Sequence, residues 1–163
     1  MRTIVLADTH IRGPAATHLP RALLTKLDGA DLILHAGDVT TPEALESLRI
    51  FAPVHAVLGN NDIALVGELE ERVQFNVDGI EVAMVHDSGA RAGRDRRMKA
   101  WFPTASVVVY GHSHQPDRTL TFGDQLLFNP GSPTTRRMQP KCSYGVIEID
   151  DGVIVAHRIE YLD

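Results

Sequence analysis

Residues 3–10 read TIVLADTH, a short β-branched apolar run that ends directly in the polar side chains Asp8 and His10. Two further runs repeat this arrangement, DLILHAGD at residues 31–38 and VHAVLGNND at residues 54–62. Apolar residues at helical spacing separate the three runs, over residues 19–27 and again after Thr41, a candidate N-cap before Pro42. Strands that alternate with helices in this way predict right-handed crossovers and a parallel sheet with both faces covered.

The second half of the chain changes to a hairpin pattern. Turn dipeptides separate three pairs of apolar runs: Asp78-Gly79 between residues 72–77 and 80–86, Gly123-Asp124 between residues 120–122 and 125–128, and Asp151-Gly152 between residues 144–149 and 153–159. Such pairs are typical of β-hairpins. A helix over about residues 93–102 and a strand over residues 106–110 complete the pattern. We expect one α/β domain over residues 1–163 with a mixed, two-sheet core.

Composition excludes several classes of protein. The chain has 163 residues, of which 44% are hydrophobic and 23% charged, which is ordinary globular usage and excludes a disordered or collagen-like chain. The single cysteine excludes a disulfide scaffold and favours a reducing, cytoplasmic location. No apolar run approaches the roughly 20 residues of a membrane span, so no membrane partner is expected. The net charge of −5 argues against a nucleic-acid partner, and the basic helix near residue 96 is predicted to face solvent.

Polar side chains follow each predicted strand at its carboxyl end. In chain order they are Asp8, His10, Asp38, Asn60, His86, His112 and His114. Ligands of open α/β sheets bind at this edge, so the seven side chains are expected to converge on one crevice. Oxygen and imidazole ligands without thiolates suit Mn²⁺, Fe or Zn²⁺. Seven ligands are too many for one ion with an open position, but with one shared carboxylate they would hold two ions about 3.5–4 Å apart.

Each of these residues taken singly could have a purely structural role, because helix caps and core histidines are common. The ordered placement after successive strands favours the metal interpretation for the set. Gly37, Gly59 and Gly111 each directly precede such a residue, where the backbone must turn sharply. His35 lies outside the pattern and is expected to pack or to support the ligand shell rather than to bind a metal.

These motifs, together with Asn129-Pro130-Gly131-Ser132, resemble the calcineurin-like metallophosphoesterase superfamily. The resemblance is greatest to its small prokaryotic phosphodiesterase branch, which is related to the retromer scaffold subunit. It implies a four-layer αββα sandwich of two mixed β-sheets flanked by helices. It also implies hydrolysis of a small phosphate ester by a hydroxide that bridges two divalent metals. Mn²⁺ is the expected metal, with Fe, Zn²⁺ and Ni²⁺ as alternatives, and self-association into a homodimer or homotetramer is a further expectation.

The resemblance also assigns roles to individual residues. One metal would be held by Asp8, His10, Asp38 and His114, and the other by Asp38, Asn60, His86 and His112, with Asp38 bridging. Asn60 and His86 are thereby catalytic, as is Asn61, which follows at the position that contacts the leaving oxygen in the family.

Two residues depart from the family pattern. Asn61 stands where the phosphatase branches often have His and this branch commonly has Cys; an amide can donate a hydrogen bond but cannot supply a proton. Asp87 stands where the branch usually has Gly, in His-Gly-His. The first departure favours phosphodiesters or activated esters over alkyl monoesters. The alternatives are a phosphomonoesterase and a non-catalytic interaction scaffold of the retromer type; a nuclease on long nucleic acid is disfavoured by the acidic charge balance.

Overall fold

Ten strands form two mixed sheets in the computed structural model, which describes residues 1–121 and 123–162. The first half contains β1 Arg2–Leu6, α1 Ala15–His18, α2 Arg21–Leu27, β2 Leu32–His35, α3 Pro42–Arg49, β3 Val54–Ala56 and a 3₁₀ turn at Ile63–Leu65. The second half contains β4 Arg72–Val77, β5 Ile80–Val85, α4 Arg94–Trp101, β6 Val107–Tyr110, β7 Asp117–Leu120, β8 Leu126–Asn129, β9 Cys142–Asp150 and β10 Val153–Leu162. Among these described residues, no helix is long and apolar enough to cross a membrane.

The two sheets have related layouts. The first has the order β10-β9-β1-β2-β3, with β1, β2 and β3 parallel and β9 antiparallel to both of its neighbours. The second has the order β4-β5-β6-β8-β7, with a parallel centre and one antiparallel strand at each edge. The predicted combination of crossovers and hairpins is therefore present in both sheets.

Three apolar layers hold the fold together. Between the sheets, Leu34 and Met84 pack with Phe128, and all three are almost completely buried. The helices α2 and α3 cover the outer face of the first sheet, and α4 covers the second sheet through the buried Met98. Helix, sheet, sheet and helix thus form four layers, and the predicted αββα sandwich is confirmed.

Several element boundaries differ from the predicted ones for local reasons. Thr41 is the N-cap of α3 as predicted, with its Oγ1 accepting from the Ala44 N–H at 3.2 Å. The strand predicted over residues 54–58 ends at Ala56, because the Leu58 N–H donates to the Glu70 carbonyl oxygen instead of continuing the ladder. The helix predicted over residues 19–27 begins after Pro20, since an extended backbone is favoured just before proline.

The hairpin predicted around Gly123-Asp124 has its first strand in a different place. That strand is Asp117–Leu120, and its last residue pairs with Leu126. It is a largely exposed edge strand, so it lacks the apolar pattern by which strands are recognised in a sequence. Phe122, in the predicted strand 120–122, and Asp163, at the end of the predicted domain, lie outside the described residues.

The basic face of α4 is less solvated than predicted. The Arg94 guanidinium lies 4.8 Å from the Tyr110 ring centre and 3.5 Å from the Asp117 carboxylate. The Arg97 Nε donates to the Ser88 carbonyl oxygen at 2.8 Å. Arg94 therefore joins α4 to the second sheet, and Arg97 joins α4 to the loop that follows β5.

Candidate metal centre

All seven predicted ligand residues meet at one edge of the sandwich. Asp8 and His10 follow β1, Asp38 follows β2, Asn60 follows β3, His86 follows β5, and His112 and His114 follow β6. The strands belong to two sheets, so the crevice lies between the sheets rather than along one of them.

Asp8, His10 and His114 form the first half of the cluster. The Nε2 of His114 lies 3.4 Å from the Asp8 Oδ1 and 3.3 Å from the Nε2 of His10. Both carboxylate oxygens of Asp8 are buried and have no hydrogen-bond partner among the described residues. A buried carboxylate is costly unless it is paired or binds a metal, so the donor set fits a cation at this position.

The second half of the cluster converges on the side chain of Asn60. Its Oδ1 lies 3.0 Å from the Nε2 of His86 and 2.9 Å from the Nδ1 of His112. Asp38 lies between the two halves, with its Oδ2 3.5 Å from the Nε2 of His86 and 3.6 Å from the Nε2 of His10. One carboxylate is thus within reach of ligands from both halves.

Backbone carbonyls orient two of the histidines. The Nδ1 of His86 lies 2.7 Å from the Ala36 carbonyl oxygen, and the Nδ1 of His114 lies 2.7 Å from that of Thr135. Since a carbonyl oxygen only accepts, each Nδ1 carries a hydrogen, and Nε2 is the ring nitrogen that faces the cluster. Histidines that are oriented in this way by a backbone carbonyl are typical of metal ligands.

Five of the seven side chains sit on left-handed backbone. The φ angles are 54° at Asp8, 47° at His10, 60° at Asp38, 66° at His112 and 57° at His114. Such conformations cost of order 1–3 kcal/mol each outside glycine and collect at functional sites. The strain shows that the fold holds these side chains in place at the expense of local backbone preference.

Two glycines allow the ligand loops to touch. A Cβ at Gly59 would lie 2.2 Å from the backbone nitrogen of Asp38, and one at Gly37 would lie 2.6 Å from the Nδ1 of His86. Any side chain at either position would push apart the loops that carry Asp38, Asn60 and His86.

Asp62 is a buried acid that the sequence did not single out. Its Oδ2 accepts from the backbone N–H of Asp38 at 2.8 Å and of Gly59 at 2.7 Å, and its Oδ1 accepts from that of Thr40 at 2.6 Å. It therefore joins the loop after β2 to the loop after β3. In a sequence, an acid at the end of a polar loop is expected to face solvent. The only sequence signal for a structural role is its position just after Gly59-Asn60-Asn61.

Asn61 is directed at Asp38. Its backbone N–H donates to the Asp38 Oδ1 at 2.8 Å, and its Nδ2 donates to the Oδ2 at 2.7 Å. Burial raises the pKa of Asp38, but these two hydrogen bonds and the nearby His86 and His10 outweigh it, so the pKa lies below its usual value. The shared carboxylate is accordingly ionised at neutral pH.

The loop after β8 supports the cluster from behind. The Ser132 Oγ donates to the Asp8 carbonyl oxygen at 2.7 Å, and the Thr134 Oγ1 donates to that of Thr9 at 2.8 Å. Arg137 reaches the opposite rim, where its Nη1 donates to the His112 carbonyl oxygen at 3.1 Å. The segment that begins at Asn129 thus positions the ends of both β1 and β6.

His35 lies behind the cluster and makes stability depend on pH. Burial lowers its pKa from 6.5 to about 3, and its Nε2 lies 3.0 Å from the Thr9 Oγ1. Between these pH values the unfolded chain binds a proton that the folded chain does not, so this group makes stability rise with pH. The contribution of His35 to the unfolding free energy changes by up to about 1.4 kcal/mol per pH unit in this range.

We expect His35→Gln, which cannot titrate, to flatten the fall in unfolding free energy as the pH decreases through this window. The measurement is urea unfolding with a chelator present, at about pH 4.5 and about pH 6.5. Carboxylates that titrate in the same range change the unfolding free energy of the wild type and of His35→Gln equally. Their contribution therefore cancels when the two pH profiles are subtracted. Parallel pH profiles for the two proteins would contradict the expectation.

Comparison with known proteins shows the family to which the chain is similar. The family described as the calcineurin-like phosphoesterase superfamily domain matches residues 1–152. A protein of Methanothermobacter thermautotrophicus described as a probable metallophosphoesterase is 36% identical over 149 residues, which cover 90% of this chain and 84% of the relative.

Solved structures share the fold. Vps29 of Entamoeba histolytica, crystallised with Zn²⁺, has a TM-score of 0.76 at 22% identity and covers 100% of this chain and 99% of its own. An archaeal phosphodiesterase has a TM-score of 0.76 at 18% identity and covers 99% of this chain and 100% of its own. At these identities the likeness concerns the fold alone.

Proposed function

The chain belongs to the calcineurin-like phosphoesterase superfamily, and we propose that it hydrolyses small phosphodiesters with two divalent metal ions. The observation that carries the proposal is a pair of overlapping groups of possible metal ligands, one with His10 and His114 and the other with Asp38 and His86. Asp8 belongs to both groups, and its buried carboxylate has no hydrogen-bond partner among the described residues. We propose a single domain over residues 1–163 and, from the lone Cys142, a cytoplasmic location. Self-association remains an expectation from the family resemblance.

Each ion would have its own set of ligands. One would be held by Asp8, His10, Asp38 and His114, and the other by Asp38, Asn60, His86 and His112. Bound there, the ions would supply a hydroxide nucleophile near neutral pH and neutralise charge on the phosphoryl oxygens. Mn²⁺ is our first choice, and Fe, Zn²⁺ and Ni²⁺ also suit imidazole and carboxylate ligands.

The chain's own residues set the orientation of the ester. Asn60 and His86 fix one side of the cluster, and the Arg137 guanidinium at the rim can attract an anionic phosphoryl group. Asn61 holds Asp38 ionised and has no proton to give to a departing alkoxide. A good leaving group is therefore required, which favours activated esters and diesters over alkyl monoesters.

The deciding experiment compares two substrates with the same metal-loaded protein. With Mn²⁺ we expect kcat/KM for bis-p-nitrophenyl phosphate to exceed that for a simple alkyl phosphate monoester. The expectation follows from the missing proton donor, because p-nitrophenolate departs without protonation. Faster hydrolysis of the alkyl monoester would overturn the diester assignment and favour a phosphomonoesterase.

A non-catalytic scaffold is the second candidate. The observation in its favour is the fold shared with Vps29 over the whole chain. A scaffold could lose metal ligands without penalty, yet all seven predicted ligands are present. Folded protein that hydrolyses neither ester with Mn²⁺, Fe²⁺, Zn²⁺ or Ni²⁺ would favour the scaffold.

A further inference from the structure

We propose that a groove beside the cluster binds the ester group that stays on phosphorus and selects an apolar or aromatic group there. The groove has a volume of about 420 Å³, and three of the predicted ligand residues line it, Asn60, His86 and His112. An ester held at the cluster therefore has the groove directly beside it. This inference rests on the proposed function and adds the class of substituent.

One wall of the groove is aliphatic and faces solvent. Ile63 is 82% exposed and Val66 is 69% exposed, and both line the groove. Exposed aliphatic side chains next to a strongly polar site are typical of ligand pockets, which combine apolar walls with a few placed polar groups. Their exposure leaves apolar surface that a bound ring or alkyl chain would cover.

The aliphatic wall is fixed to the rest of the site. Between the two exposed residues, Leu65 is completely buried, and its N–H donates to the Asp62 carbonyl oxygen at 2.9 Å. The same Asp62 holds the loops of Asp38 and Gly59 through its carboxylate. The distance between the aliphatic wall and the cluster is thereby set by the fold before any substrate binds.

The charged side chains at the rim of the groove are Glu71, Arg72 and Asp87, and two of them are held by neighbours. The Asp87 Oδ1 accepts from the Gly89 N–H at 2.7 Å, so this carboxylate closes its own turn. The Arg72 guanidinium lies 3.5 Å from the centre of the Trp101 ring. The groove therefore offers a bound ester an aliphatic side and the exposed carboxylates of Glu71 and Asp87, while its cation is held on Trp101. This combination disfavours an anionic substituent and suits an uncharged one.

The retained group rather than the leaving group belongs in this groove. The leaving oxygen must take its proton from water, because Asn61 cannot donate one, and so it needs a side open to solvent. Asn61 is exposed and does not line the groove. The groove thus remains for the ester group that is still bonded to phosphorus after hydrolysis.

The test compares two substrates that share a p-nitrophenolate leaving group. In bis-p-nitrophenyl phosphate the retained group is aromatic, and in methyl p-nitrophenyl phosphate it is a methyl group. For Ile63→Ser we expect kcat/KM of the first substrate to fall about fivefold while that of the second changes by less than about twofold, the size of a partly lost aliphatic contact. Ile63→Leu should restore most of the loss, and Ile63→Ser/Val66→Ser should increase it.

Ile50→Ser is the matched control, because Ile50 is also an isoleucine, is 83% exposed and lies away from the groove. It should leave both values unchanged. Equal losses on both substrates, or no loss on either, in Ile63→Ser would overturn the groove assignment while phosphoesterase activity stands. Wild-type protein that hydrolyses neither substrate would instead refute the proposed function, and the groove assignment with it.

Discussion

Asp38→Ala is expected to lower kcat/KM for bis-p-nitrophenyl phosphate by at least about a thousandfold, because it removes the carboxylate proposed to serve both ions. The Asp38 Oδ2 lies 3.5 Å from the Nε2 of His86 and 3.6 Å from that of His10, so it is within reach of both halves of the cluster. The measurement pairs steady-state kinetics in Mn²⁺ with elemental analysis, which should show fewer than two bound ions per chain.

The control for Asp38→Ala is Asp28→Ala, which removes an exposed carboxylate at the end of α2 and should leave both activity and metal content unchanged. A thermal unfolding curve establishes that each variant is folded. Folded Asp38→Ala that keeps more than about a tenth of the activity would contradict a shared ligand.

Asp62→Ala is expected to cause the largest loss of stability, about 4 kcal/mol in the metal-free protein, because three backbone N–H groups lose their acceptor. Those groups belong to Asp38, Gly59 and Thr40, and the Asp62 side chain is completely buried. Urea unfolding with a chelator present measures the loss without any contribution from metal binding.

Two further variants test whether the loss of stability in Asp62→Ala comes from the missing acceptor oxygens. Asp62→Asn keeps one acceptor oxygen and should lose less than alanine, whereas Glu68→Ala removes a nearby exposed acid and should be neutral within about 0.5 kcal/mol. An unfolding free energy of Asp62→Ala within about 1 kcal/mol of the wild-type value would show that this carboxylate does not join the loops after β2 and β3.

The seven strand-end residues could be found from the sequence because each follows a short apolar run, and parallel strands bring their carboxyl ends together. Asp62 could not be found in this way, since nothing in a loop sequence distinguishes a buried acid from a solvated one. The left-handed backbone at His10 or His112 is likewise invisible, because neither residue is a glycine. The groove escaped prediction because the loop of Ile63 and the ends of β4 and β5 meet only across two sheets.

The strand order β10-β9-β1-β2-β3 has a consequence for how the chain is made. β1 is synthesised well before its antiparallel neighbour, Cys142–Asp150, so one edge of this buried strand stays open until that neighbour has been made. Open edges of apolar strands invite aggregation, and pairings between distant segments form slowly. Asp8, which follows β1, also lacks two of its contacts until later residues have been made. His114 lies beside its carboxylate, and the Ser132 Oγ donates to its carbonyl oxygen. A partly synthesised chain would therefore lack the full ligand set, and hydrolytic activity would begin only once the sandwich has closed.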